Sequence, residues 1–198
     1  MVQKLDTLPV TPSQTAGPYV HIGTAPDYAG LDPVPYESVG KTTFEAGAKG
    51  EEIVLTFRVI DGAGMELKDV LVEIWQADAE GRYPGQEGAD PKVTGFARRS
   101  ADFDSGIFRL ETIKPGAIDR GDGSTEPPHL NLWIVARGVN TGLSTRVYFP
   151  EDDLSADPLL ARIEHKTRIA TLVAEKSDEG YHHDIYLQGP KETVFFDI

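Results

Sequence analysis

The chain contains no cysteine, and that absence closes several routes at once. Disulfides, Cys-ligated zinc, iron–sulfur clusters and thiol nucleophiles are excluded. The metal ligands left are five His, seven Tyr and the carboxylates. Positive charge is also scarce. Lys and Arg number 19 against 32 Asp and Glu, a formal net charge of -13. A nucleic-acid partner wants a basic patch, so this balance argues against one. It leaves room for a small anion, because one local Arg outweighs a distant, screened acidic field. No stretch approaches the ~20 apolar residues of a membrane span. Residues 1–18 hold no apolar run of the signal-peptide kind. The expectation is a soluble, cytoplasmic protein. Phosphate loops, dinucleotide fingerprints and Gly-x-Ser-x-Gly elbows are missing as well.

What the chain does have is short β-type runs cut by Gly and Pro. Its 198 residues, 39% apolar and 26% charged, suit one globular domain, with or without a long arm. Residues 1–50 are rich in Pro and Gly and lack a steady period, which predicts an arm with loops. Residues 51–198 read as the folded domain. Ile53–Ile60 is rich in β-branched residues and ends in Asp61-Gly62, a turn signal. Val70–Ala77 follows, with Val70, Val72, Ile74 and Gln76 on one face and Leu71, Glu73, Trp75 and Ala77 on the other. Further predicted strands are Gly106–Ile113, Leu130–Arg137, Thr145–Phe149, Ile169–Glu175, Tyr181–Leu187 and Thr193–Phe196. Asp157-Pro158 opens a short helix through Glu164. Many short strands with turn punctuation give an all-β sandwich or barrel with at most short helices.

Four places could carry chemistry. Tyr83 lies in the loop after Val70–Ala77 and reads either as packing or as a phenolate ligand or stacking wall. His129 precedes Leu130-Asn131; a His-x-His pair on a strand would aim two imidazoles at one metal, but Asn131 stands in the second place. His182 and His183 are adjacent, so on a strand they point to opposite faces and do not share a metal. Arg137 ends an apolar run and reads equally as a rim ion pair or as a bidentate carboxylate clamp. Spacing alone assigns no reaction.

Several stretches are similar to the intradiol ring-cleavage dioxygenases: Val72-Glu73-Ile74-Trp75-Gln76-Ala77-Asp78-Ala79-Glu80-Gly81-Arg82-Tyr83, Thr112-Ile113-Lys114-Pro115-Gly116, Pro128-His129-Leu130-Asn131 and Thr145-Arg146-Val147-Tyr148-Phe149. The resemblance runs over nearly the whole chain. Residues 11–23 and 192–197 narrow it to the α-type chain of the two-chain members that cleave protocatechuate, 3,4-dihydroxybenzoate. It implies an intradiol-dioxygenase-like β-sandwich with an extended N-terminal arm, residues 1–50, whose loops pack on a partner chain. It also implies a ferric iron held by two Tyr and two His in a partner β chain, and a higher-order αβ assembly. Carried over by matching, the four ligand places are Tyr83, Ile118, His129 and Asn131 here. Two of them have lost their ligand. The neighbouring family Arg and Gln are Glu126 and Arg146. No iron is therefore expected on this chain, and no catalytic residue. The resemblance instead gives Thr15, Gly17 and Pro18 of the arm, and Arg137, a place in the partner's substrate pocket. There, Arg137 would meet the ring carboxylate. Two competing readings are a self-sufficient enzyme binding another metal through Tyr83, His129 and His182, and a sandwich module with no part in catalysis.

Overall fold

The computed structural model describes residues 12, 14–17, 19–31 and 38–197. Alternating burial along the β-branched runs sets the architecture. In β1 (Glu52–Ile60) every second residue is inward, and Leu55, Phe57 and Val59 are fully buried. β1 pairs antiparallel with β4 (Phe108–Ile113) and parallel with β10 (Gly180–Tyr186). β9 (Glu175–Ser177) closes that sheet on the far side of β10. The second sheet runs in the order β3 (Phe96–Ser100), β2 (Leu71–Trp75), β7 (His129–Val135), β8 (Leu143–Tyr148), antiparallel throughout. Val72, Ile74, Leu130, Leu132, Ile134 and Val147 of this sheet pack on Leu55, Phe57, Phe108, Leu110 and Ile185 of the first. Two sheets share one core, so the predicted sandwich is the observed fold. Among the described residues helix is short: α1 (Val20–Thr24) and 3-10 turns at Leu160–Arg162 and Lys166–Leu172.

Three expectations need correction. Ile169–Glu175 is not a strand. A 3-10 helix runs through it to Leu172, burying Leu172 under Tyr148 in a second small core, and Val173 makes only an isolated bridge to Tyr148. Thr193–Phe196 is likewise reduced to one bridge, Phe196 with Ser144. The predicted helix after Asp157 is one 3-10 turn, begun by the Asp157 carboxylate accepting from the Leu159 and Leu160 N–H groups at 2.7 and 3.2 Å. The strand Phe96–Ser100 was not anticipated, because Phe-Ala-Arg-Arg-Ser has little β-branched content. It forms at a sheet edge, where Arg98 pairs with its cross-strand neighbour Glu73 at 2.6 Å.

Residues 19–31 and 38–50 lie largely against their own sandwich. His21 is buried beside Tyr28, Arg98 Nη1 donates to the Thr24 carbonyl at 2.9 Å, and Phe44 bridges Val93. No helix among the described residues is long and apolar enough to cross a membrane.

Phe57 is fully buried with its ring stacked 4.7 Å from Phe108. Phe57→Ala should lower the unfolding free energy by about 3–5 kcal/mol in urea titrations; a loss of less than about 1 kcal/mol would show that the core collapses around the missing ring. Stability should also depend on acid. Burial lowers the His183 pKa from 6.5 to about 4, despite its bond to the Val173 backbone, and burial lowers those of His21 and His129 too. The unfolded chain therefore binds protons that the folded chain refuses. The stability these groups contribute is complete above pH 6.5 and is lost as pH falls toward 4. Urea midpoints at pH 7 and pH 5 test this, and His183→Gln should reduce the difference between them.

Candidate functional site

The ligand-matched residues gather at one end of the outward face of the β3-β2-β7-β8 sheet. Cross-strand register puts His129 opposite Tyr148 and Asn131 opposite Arg146. Two loops close over them. The loop after β2 is folded by the buried Asp78, whose carboxylate accepts from the N–H groups of Glu80, Arg82 and Asp90 at 2.8–2.9 Å. Gly81 in this loop has φ +77, and an added Cβ would meet the Ala117 carbonyl at 1.9 Å. A Cβ on Gly116 would meet the Ala79 carbonyl at 2.4 Å. Only glycine allows the two loops this approach. It brings Tyr83 from one loop and Ile118 from the other onto the same end of the sheet. Ile118 begins the short hairpin of β5 (Ile118–Asp119) and β6 (Thr125–Glu126), in which it faces Glu126.

A guanidinium occupies the middle of this arrangement. Arg146 Nε donates to Asn131 Oδ1 at 3.0 Å, and its Nη1 lies 3.0 Å from Glu126 Oε2, 3.2 Å from the Tyr148 hydroxyl and 3.7 Å from Asp157 Oδ2. The Tyr148 hydroxyl donates to Asp157 at 2.8 Å, and Arg120 pairs with the other oxygen of Glu126. The Asn131 amide donates in turn to the Tyr83 hydroxyl at 3.1 Å, whose ring stacks on Trp75 at 5.7 Å. Burial opposes the Arg146 charge, yet Tyr148, Glu126 and Asp157 outweigh it and push its pKa up. Burial drives the Tyr83 phenol up, against the Asn131 bond, so it is a neutral hydroxyl rather than a phenolate. His129 is fully buried. Its Nδ1–H donates to the Pro127 carbonyl at 2.8 Å, which leaves Nε2 as a lone pair without a hydrogen-bond partner. Burial, and then Arg146, lower its pKa to about 4.

These residues do not fit a ferric ion. Ile118 has no donor atom, Asn131 spends its amide on Arg146 and Tyr83, and a fixed cation stands among the ligand places. The alternative ligand His182 is in the other sheet, held by Thr56 at 3.0 Å and Asp184 at 3.0 Å. The structure does not bring it to Tyr83 and His129. Adjacent His183 points to the opposite, buried side, as the strand period requires. Sequence reasoning found Glu126 and Arg146 but missed Tyr148, Asp157 and Arg120 in this network. A signal was present: Arg146 and Tyr148, two apart on an apolar strand, share a face, and a buried Arg needs buried carboxylates.

The predicted substrate residues sit at the other end of β7. Thr15 Oγ1 accepts from the Gly138 N–H at 2.8 Å and donates to the Ala136 carbonyl at 3.1 Å. The arm is thus pinned to the two residues that flank Arg137. The Arg137 side chain is 65% exposed, and its Nε lies 3.2 Å from Asp69. That contact uses one of five guanidinium N–H groups. Gly17 has no atom of the described residues within 4 Å of a notional Cβ, so packing within the chain does not demand glycine there. Pro18 lies outside the described residues.

The family model described as dioxygenase matches residues 24–189. The chain belongs to the intradiol dioxygenase family. It is similar to the protocatechuate 3,4-dioxygenase alpha chain of Pseudomonas putida, at 40% identity over 98% of this chain and 99% of that one. It is also similar to the protocatechuate 3,4-dioxygenase beta chain of Burkholderia cepacia, at 33% identity over 85% of this chain and 79% of that one. In fold it resembles 3-chlorocatechol 1,2-dioxygenase from Rhodococcus opacus 1CP, with a TM-score of 0.56 at 21% identity, covering 78% and 66% of the two chains. Within that family, this chain carries a buried arginine network at one end of the β3-β2-β7-β8 sheet.

Arg146→Met would take the cation away from Asp157 and leave Glu126 to Arg120. It should cost about 3–5 kcal/mol of stability, since breaking a buried pair leaves charge uncompensated. Adding Glu126→Gln should recover part of the loss in thermal unfolding, whereas a fully stable Arg146→Met would mean that the network carries no such charge.

Proposed function

We propose that this chain is the non-catalytic α-type subunit of a cytoplasmic protocatechuate 3,4-dioxygenase. Its partner is a β chain of the same family that holds the ferric iron, and the two build a higher-order αβ oligomer. The reaction is intradiol cleavage, 3,4-dihydroxybenzoate with O2 giving 3-carboxy-cis,cis-muconate. The observation that carries the reading is Arg146, whose charge and bonds take up the pocket in which a catalytic member would hold its metal.

The second end of β7 supports the positive role. Arg137 sits in the turn past the end of β7, and the strand alone, from Asn131 to Val135, spans about 13 Å at 3.3 Å per residue. No side chain spans that distance, so Arg137 does not serve the pocket of its own chain. It serves a site on another. With the catechol oxygens bound at the partner's iron, the ring carboxylate points away from the metal and wants a cation. Arg137 can offer two parallel N–H groups to it. Asp69 holds the guanidinium side-on in the meantime, and Thr15 fixes the turn beneath it. The arm residues Gly17 and Pro18 belong to the same wall in this proposal.

Iron content and protocatechuate-dependent O2 uptake test the reading, on the chain alone and co-expressed with its β partner. Both are expected only in the co-expressed sample. Stoichiometric metal with turnover in the single chain would overturn it. In the assembled enzyme Arg137→Ala should raise the KM for protocatechuate ten- to more than a hundredfold, the equivalent of about 1.5–3 kcal/mol for a charge-assisted contact. An unchanged KM would reduce Arg137 to a rim ion pair with Asp69.

A further inference from the structure

The edge strands β3 and β4, one from each sheet, lie on the same side of the sandwich, and residues 40–44 are bonded to both. The Gly40 carbonyl accepts from the Arg98 N–H at 3.2 Å, and Thr43 Oγ1 donates to the Glu111 carbonyl. Arg99 stands at this edge. Its register partner is Val72, and it shares a face of β3 with the buried Ala97, so its side chain enters between the sheets. A charge in such a place wants a carboxylate. Arg99 has carbonyls instead. Its Nε donates to Arg109 at 3.1 Å, Nη1 to Gly40 and Arg98 at 2.6 and 2.9 Å, and Nη2 to Lys41 at 3.2 Å. These bonds leave the charge unneutralised, and they leave one of the five guanidinium N–H groups without an acceptor among the described residues. Among those residues, Arg99 and the exposed Arg162 are the arginines with no ion pair. Burial accordingly pulls the Arg99 pKa down with only Glu111 opposing it, whereas the partners of Arg146 push that one up.

Beside Arg99 opens a cleft of about 360 Å³, which Lys41 and Arg109 also line. Three cations thus meet in a chain whose net charge is -13. The one carboxylate in the lining, Glu111, is held by Arg109 Nε and Nη2 at 3.1 and 2.9 Å. Lys41 Nζ lies 3.5 Å from Asp27 and its side chain is 61% exposed, so water screens that pair. Positive charge is therefore in local surplus. A long polyanion would meet the acidic field of the whole chain, but a small ion responds mainly to charges within a Debye length of ~8–10 Å. Guanidinium forks and an ammonium are the donors that take up phosphate and carboxylate oxygens.

We propose that this cleft at the β3–β4 edge, walled by Arg99, Arg109 and Lys41, binds a small polyvalent oxyanion, a phosphate or a di- or tricarboxylate. The ligand supplies the negative charge that Arg99 lacks within the chain. The site stands apart from the Arg146 pocket and does not depend on the subunit reading. Calorimetric titration of the full-length chain with inorganic phosphate, and separately with citrate, at an ionic strength held constant with sodium chloride, tests it. One saturable site per chain is expected with at least one probe, and the tighter of the two assigns the ligand as phosphate or carboxylate. Lys41→Gln and Arg109→Gln, both at exposed side chains, should weaken binding about tenfold or more. Glu111→Gln should tighten it, because it removes the one anion in the lining and releases Arg109. Arg162→Gln lowers the net charge by the same amount as Lys41→Gln at a position outside the cleft, and should leave the affinity unchanged. No saturable heat with either probe, or an affinity that Lys41→Gln, Arg109→Gln and Glu111→Gln all leave unmoved, overturns the inference. So does an Arg162→Gln loss equal to that of Lys41→Gln, which would reduce the attraction to net charge.

Discussion

Arg146 is the charge on which the pocket depends. Its guanidinium binds four groups from three parts of the chain: Asn131 from the neighbouring strand, Glu126 from the β5–β6 hairpin, and Tyr148 and Asp157 from the end of β8 and the turn beyond it. Removing it would take the cation away from Asp157 and leave Glu126 to Arg120, beside a buried imidazole. Here a covalently attached cation ties hairpin, loop and sheet together at one end of the sandwich. A fixed positive charge without a nearby carboxylate would be as costly as the reverse.

The same arrangement separates scaffold from chemistry. Gly81, Gly116 and the Asp78 carboxylate hold the two covering loops in place through contacts to backbone groups. None of that depends on which side chains point into the pocket.

Much of this was readable from sequence. The alternating burial of Ile53–Ile60 is the period of a half-covered strand, and it survives in the fold; in Val70–Ala77 it holds from Val72 to Trp75, while Leu71 and Ala77 are buried on the other face. The resemblance singles out Asn131, and the structure puts it in the Arg146 network. What could not be read was non-local. Ile169–Glu175 has β-type composition, yet the site it covers, beneath Leu172 and beside Tyr148, takes a 3-10 turn. Phe96–Ser100 lacks β composition and becomes a strand because Glu73 waits across the ladder for Arg98. Asp157 looked like a helix start only. Its second oxygen, turned to Tyr148, depends on a fold that no local pattern encodes.

The length of β7 has a further consequence. A strand is a stiff spacer, and here it keeps the Arg146 pocket and the exposed Arg137 turn at opposite ends of one sheet. Side chains can then be exchanged at one end without moving those at the other. That independence follows from a ruler about 20 Å long, His129 to Val135 at 3.3 Å per residue.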